Sequence, residues 1–137
     1  MSAFVSPAAS DRCPCTSGDA FGACCAPIIT SGVAPTAVRL MRSRFTAFAV
    51  GDAGHLLRTW HPATRPDRLD LDAATRWLRL DILAHEAGGP FASHGVVEFA
   101  AFYRDVDGPG ALRERSRFER ESRVWLYVDG DVLPSNR

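Results

Sequence analysis

The stretch Ala111–Glu121, ALRERSRFERE, changes face at every residue. Leu112, Glu114, Ser116 and Phe118 fall on one side; Arg113, Arg115, Arg117 and Glu119 fall on the other. A period of two with one charged face is the pattern of a half-buried β-strand. The tetrapeptide DGPG (107–110) in front of it is strong turn chemistry and predicts a chain reversal. Beyond that turn, GVVEFAAFYRDV (95–106) is apolar on both faces and predicts a central strand. Further back, RWLRLDILAHEA (76–87) sets Leu78, Leu80, Ile82 and Ala84 against Trp77, Arg79, Asp81 and His85, again as a strand. RVWLYVDGD (123–131) closes an antiparallel meander.

Upstream of residue 76 the period lengthens to about 3.6. TAVRLMRSRFTAFAVG (36–51) spaces Ala37, Leu40, Met41, Phe45 and Phe48 for a helix capped by Thr36 and stopped at Gly51. DAGHLLRTW (52–60) predicts a second, short helix opened by Asp52, and DAATR (72–76) predicts a single further turn. Helices first and long antiparallel strands afterwards specify an α+β domain over residues 35–131, with helices packed on one face of a curved sheet.

The chain has 137 residues, 46% of them hydrophobic, which suffices for one core and excludes two full domains. All 16 basic residues are arginines and 16 acidic residues balance them, so no general electrostatic pull toward nucleic acid or anionic lipid exists. Residues 1–11 lack the cationic start and apolar run of a signal peptide, and no stretch approaches the ~20 apolar residues that span a bilayer. They are expected to form a flexible tail, as are residues 132–137, and the protein is expected to be cytoplasmic, where free thiols stay reduced.

All four cysteines, Cys13, Cys15, Cys24 and Cys25, lie in CPCTSGDAFGACC (13–25). The spacing is C-x-C, eight residues, then C-C, with Gly18 and Gly22 in the intervening loop. Two close pairs of soft donors joined by a glycine-bearing turn supply the tetrahedral ligand count of one structural zinc ion. A disulfide framework is the poorer reading, because adjacent cysteines bridge each other only through a strained ring. A redox role remains as an alternative, although the usual two-residue spacing is absent. APIITSGVAP (26–35) reads as a connector of low helical potential, so the knuckle with its linker is set at residues 12–34.

The cysteine spacing resembles the SEC-C motif, a small zinc-binding module known from the C-terminal end of the SecA translocation motor. That resemblance implies zinc on Cys13, Cys15, Cys24 and Cys25, and a module that contacts another macromolecule. The segments LMRSRFTAF, TWHP, WLRLDIL, VEFAAFYR, RERSRF and VWLYVDGD follow behind it, and in this order resemble the YchJ family of uncharacterised bacterial proteins. The resemblance implies a nuclear transport factor 2-like (NTF2-like, cystatin-like) cone and brings no assigned activity. Two departures stand out: no second cysteine motif follows VLPSNR, and the family's His-Glu-x-Ser reads Arg113-Glu114-Arg115-Ser116.

Cones of this kind often enclose a pocket, so inward polar residues are the candidates for binding. The alternation turns Glu114 and Ser116 inward, and helical spacing places Arg44 at the edge of the apolar stripe. An Arg44–Glu114 ion pair is therefore expected, with Ser116 bonded nearby, locking helix to sheet or serving a pocket. Trp60 and His61 are candidates at the mouth of the cone, and Glu98 is a candidate if its register turns it inward. His55, His85 and His94 read as ordinary surface or turn residues, and the outward row Arg113, Arg115 and Arg117 as a solvated face. No catalytic residue is assigned. The functional expectation is a zinc-dependent, non-catalytic adaptor that contacts a protein partner through the knuckle, as a monomer or homodimer. The alternative is a small-molecule-binding protein or small enzyme that uses the cone pocket.

Overall fold

The protein, described here for residues 4–134 as a computed structural model, departs from expectation first in the connector. Residues 1–3 and 135–137, the extremities of the two expected tails, lie outside the described residues. The segment expected to be a linker contains a helix, α1 (Cys25–Ser31), closed by Gly32 at φ 76°. Pro27 stands in the first turn, where an amide donor would have no intrahelical acceptor, so it does not break the helix. Burial of Ile28 and packing of Ile29 against the core supply the tertiary contacts that short helices need.

Helix α2 (Ala37–Val50) has the boundaries its caps predict. The Thr36 hydroxyl accepts the Arg39 amide at 3.1 Å, and Gly51 ends the helix at φ 80°. Helix α3 (Ala53–Arg58) starts at Asp52, whose carboxylate accepts the His55 amide. The turn expected to be helical at 72–76 is a non-helical turn held by Asp72, which accepts the Ala74 amide at 2.8 Å; Arg76 already opens the sheet. Five residues give too few backbone bonds to offset helix nucleation. No helix among the described residues is long and apolar enough to cross a membrane.

Four antiparallel strands follow in the order β1 (Arg76–Ala87), β2 (His94–Asp105), β3 (Gly108–Glu121) and β4 (Val124–Leu133). β4 therefore takes in Val132 and Leu133, which were expected in the tail. The hairpin between β2 and β3 reverses at Val106–Asp107, at the front edge of the predicted DGPG turn, and Pro109 already pairs with Arg104.

Register shifts in β1 fall between Trp77 and Arg79 and between Ile82 and Ala84. These bulges leave Leu78 and Leu83 48% and 47% exposed and turn Trp77 inward, against the simple alternation read from sequence. Trp77 then stacks edge-on against Phe45, with ring centroids 6.0 Å apart.

The inner face of the sheet presents Leu80, Val97, Phe99, Ala101 and Phe118 to Leu40, Met41 and Phe45 of α2, and one core runs from these residues into the cysteine segment. The N-terminal segment is not a free tail between residues 8 and 12. Ala9 O accepts the Gly22 amide at 2.9 Å, Asp11 O accepts the Phe21 amide at 2.8 Å, and Arg12 forms a β-bridge with Ala20. Thr16 Oγ1 accepts the Leu80 amide at 3.1 Å and shares its proton between Cys15 O at 2.7 Å and Leu80 O at 3.2 Å, fastening the knuckle to β1.

Candidate functional site

Two places concentrate chemistry. In the first, the loop after Cys13 and the start of α1 bring the four cysteines together, and each is at most 3% exposed. Their Sγ atoms all lie within 4.8 Å of one another. Cys15 and Cys24 are 3.6 Å apart and Cys24 and Cys25 are 3.9 Å apart. A tetrahedron with 2.3 Å metal–sulfur arms has edges of about 3.8 Å, so the separations suit a thiolate-bound metal and are far too long for disulfides.

The surroundings suit negative sulfur. Ser17 Oγ is 3.1 Å from Cys24 Sγ and Thr46 Oγ1 is 3.7 Å from Cys13 Sγ. Arg42 Nη1 donates to Cys15 O at 3.1 Å and lies 3.9 Å from Cys15 Sγ. Hydrogen bonds from Cys13 and then Cys25 hold the Cys15 thiol far below its ordinary range. Its bonds to Cys13 and Cys15, with burial, push Cys25 far up, while burial pushes Cys24 up to about 11. A metal bound by these sulfurs would take them as thiolates, so its uptake would release protons.

The second place is a cavity of about 260 Å³ between α2 and the sheet. Phe45, Phe48, Trp77 and Phe99 form much of its apolar wall together with Ala101, and Arg44, Trp60, Glu114 and Tyr127 bring the polar groups. The expected Arg44–Glu114 ion pair is not formed. Arg44, 3% exposed, donates from Nη1 to Leu56 O and to Thr59 Oγ1, both at 2.8 Å. Its guanidinium carbon lies 5.0 Å from the Trp60 ring centre and 4.6 Å from that of Tyr127. Burial lowers its pKa to about 10, with Tyr127 and Glu114 opposing the shift, so it stays charged near neutrality. The end of α3 thus takes the donors that the sequence reading assigned to Glu114.

Glu114 is held instead by Ser116 Oγ, which donates to Oε2 at 2.5 Å, and by Tyr127 Oη, which donates to the same oxygen at 3.2 Å. Burial and then the Glu114 charge push the Tyr127 phenol far up, which keeps it a donor. The carboxylate lies over Gly130, where any Cβ would collide with it. Ser116 is fully buried behind Glu114 and supports it without lining the cavity.

Two candidates fall elsewhere. Glu98 pairs across β2 and β3 with Arg115 on the outer face of the sheet, where it meets Arg113 at 2.6 Å and Arg115 at 3.7 Å. The register turns it outward, as one residue of slip decides. His61 also lies away from the cavity: Nδ1 accepts the Ala63 amide at 3.0 Å and Nε2 meets Glu121. His61, Glu119 and Glu121 have the spacing of a second ligand cluster. The amide bond to Nδ1 fixes the tautomer with its proton on Nε2, however, leaving that atom no lone pair for a metal.

The outer arginine row is neutralised by partners: Arg115 by Glu86, and Arg117 by Asp129 and Asp131. Sequence reasoning missed Tyr127 and Trp77 as cavity residues. Tyr127 had a signal in the alternation of RVWLYVDGD, whereas Trp77 depends on a bulge that no pattern announces.

The middle NTF2-like domain of YchJ matches residues 36–130, the region that builds this cavity. The chain belongs to the YchJ family. A UPF0225 protein of Streptomyces coelicolor is 50% identical over 122 residues, covering 88% of this chain and 95% of that protein. Another from Corynebacterium glutamicum is also 50% identical, covering 88% and 97%. The fold is similar to the solution structure of RPA3114, a SEC-C motif containing protein from Rhodopseudomonas palustris, with TM-score 0.76, 28% identity, and coverage of 89% of this chain and 98% of that one. A SEC-C motif containing protein from Psychrobacter arcticus superposes with TM-score 0.71 at 28% identity, covering 91% and 84%. Within this YchJ-family chain, the position where the resemblance expects histidine holds Arg113, which faces outward against Glu98. It therefore takes no part in the cavity.

Proposed function

We propose that the chain is a small-molecule-binding protein in which a structural zinc ion, held by Cys13, Cys15, Cys24 and Cys25, braces a ligand-binding NTF2-like cone. The observation that carries the reading is the 260 Å³ cavity, in which a buried arginine and a supported carboxylate converge on aromatic walls. Largely apolar cavities with a few placed polar groups are what small-molecule sites look like. The four-sulfur donor set supports zinc as the ion, and a reducing cytoplasmic setting suits its thiolates.

The adaptor expectation rested on a knuckle that presents itself to a partner. The cysteines instead share the core of α2, and Thr16 and Thr46 tie the knuckle to the cone. That packing favours a brace over a free docking module. Binding is favoured over catalysis because the cavity wall offers neither a histidine base nor a serine or cysteine nucleophile among the described residues.

Native mass spectrometry of protein purified without chelator tests the reading. The expected spectrum has one zinc ion per chain and a small organic adduct, and the adduct disappears from Ala101→Leu, which fills the cavity, while the zinc stays. An adduct that survives Ala101→Leu, or a zinc-loaded chain that carries only a protein partner, would return the function to another surface.

A further inference from the structure

The polar atoms of the cavity are arranged unequally, and the inequality selects a ligand class. Both hydrogen bonds given to Glu114 end on Oε2, from Ser116 at 2.5 Å and from Tyr127 at 3.2 Å. Oε1 receives none from the described residues, and Glu114 lines the cavity. That oxygen is a fixed acceptor waiting for a donor. Arg44, its guanidinium carbon 4.6 Å from the Tyr127 ring centre, commits Nη1 to Leu56 O and Thr59 Oγ1, and among the described residues nothing takes a hydrogen bond from its other guanidinium nitrogens, which are left to serve an acceptor. Around them the walls are flat aromatic rings: Trp60 and Tyr127 at 5.2 Å centroid separation and nearly perpendicular, with Trp77, Phe45 and Phe48 lining the same cavity.

We propose that the cavity binds an uncharged planar aromatic molecule that donates a hydrogen bond to Glu114 Oε1 and accepts one from Arg44. This rests on the cone being a ligand-binding site and names what it takes. Size limits the ligand: a 150 Å³ apolar cavity accommodates benzene, so this one accommodates about ten heavy atoms, a bicycle or a substituted ring. Charge limits it as well. An anionic ligand drawn to Arg44 meets the Glu114 carboxylate, and a cationic one drawn to Glu114 meets a guanidinium already stacked on the cage. A neutral edge with an N–H or O–H beside a carbonyl satisfies both groups, and an unmatched buried partner is what makes such sites selective.

Four probes of similar size separate the possibilities in titrations of the full-length, metal-loaded chain. 2-Quinolone carries an N–H donor beside a carbonyl, quinoline carries an acceptor alone, naphthalene carries neither, and 2-naphthoate is an anion. The expected result is that 2-quinolone binds at least tenfold more tightly than the other three. In Glu114→Gln, Ser116 and Tyr127 hold the amide oxygen where Oε2 stood, so the amide nitrogen takes the place of Oε1 and the free atom changes from acceptor to donor. That variant is expected to reverse the order of quinoline and 2-quinolone while keeping its melting temperature within a few degrees.

Naphthalene or quinoline binding the unmodified chain as tightly as 2-quinolone would overturn the ligand class and leave the cavity reading standing. Tighter 2-naphthoate would overturn it too, moving recognition to Arg44 alone. Binding of none of the four would overturn the cavity reading and the inference with it. The comparison among probes uses the unmodified chain, so it holds even if Glu114→Gln fails to fold.

Discussion

At position 55 a histidine expected on the surface is 0% exposed between α2 and α3. Its Nε2 lies 2.9 Å from Ser43 Oγ, and the Ser43 proton is already given to Leu40 O at 2.7 Å. The imidazole must therefore donate from Nε2, which leaves Nδ1 a bare lone pair without a partner among the described residues. A second proton would arrive on Nδ1 with no acceptor. Burial, with Arg44 and Arg58 beside it and only Asp52 opposing, lowers the His55 pKa from 6.5 to about 4. The unfolded chain then takes up the proton first as pH falls. Stability is full above pH ~6.5, drops between there and pH ~4, and levels off below, with a loss of up to about 3 kcal/mol. Urea unfolding at several pH values should show this slope in the native chain, and His55→Gln should flatten it by one proton. An unchanged slope in the variant would assign the acid sensitivity to other groups.

At the scale of elements, the turn joining β3 to β4 is formed by Ser122 and Arg123, both with positive φ, 49° and 69°. That is the backbone of a two-residue type I′ hairpin, which prefers Asn or Gly, and here it is imposed on residues that resist it. Arg123→Gly should stabilise the chain by roughly 0.5–1 kcal/mol, read as a higher urea midpoint at constant m-value. A lower midpoint would mean that the Arg123 side chain contributes more than its backbone costs.

The same scale shows what was legible in the sequence. The ends of α2 were readable because Thr36 and Gly51 act within one turn, and the limits of β1 were readable because the alternation stops where the strand does. The orientation of Trp77 was not, because a bulge adds a residue without changing composition. Helix α1 was not, because its stability comes from burying Ile28 against parts of the chain distant in sequence. Arg44 and Glu114 could both be turned inward by period alone, yet their partners could not be named. The carbonyl of Leu56 and the hydroxyl of Thr59 reach the guanidinium only once α3 is docked.

Taken as one molecule, the chain has a single continuous core in which Cys13, Cys15, Cys24 and Cys25 lie beside Leu40, Phe45 and Leu80. A metal held by those cysteines is coupled to the folding of everything they touch. Removing it with a chelator, or substituting Cys24→Ser, should lower the melting temperature of the whole chain by roughly 10 °C or more in one cooperative transition, since a few kcal/mol are lost from a domain of this size. Two separate calorimetric transitions, the later one unmoved, would show that knuckle and cone fold independently.

The Thr16 contact with Leu80 has a consequence for the society of molecules as well as for the single chain. β1 is the outer strand of the sheet, and its unshared peptide groups would otherwise offer a template on which another chain could align. A hydroxyl that takes the Leu80 amide and shares its proton with the Leu80 carbonyl imitates one rung of such a neighbour and occupies the place. Thr16 sits one residue after Cys15, so a metal held by the cysteines would hold this guard in place. Loss of a metal from the cysteines would then be felt as self-association along β1, and the cysteine knuckle would act as a keeper of solubility.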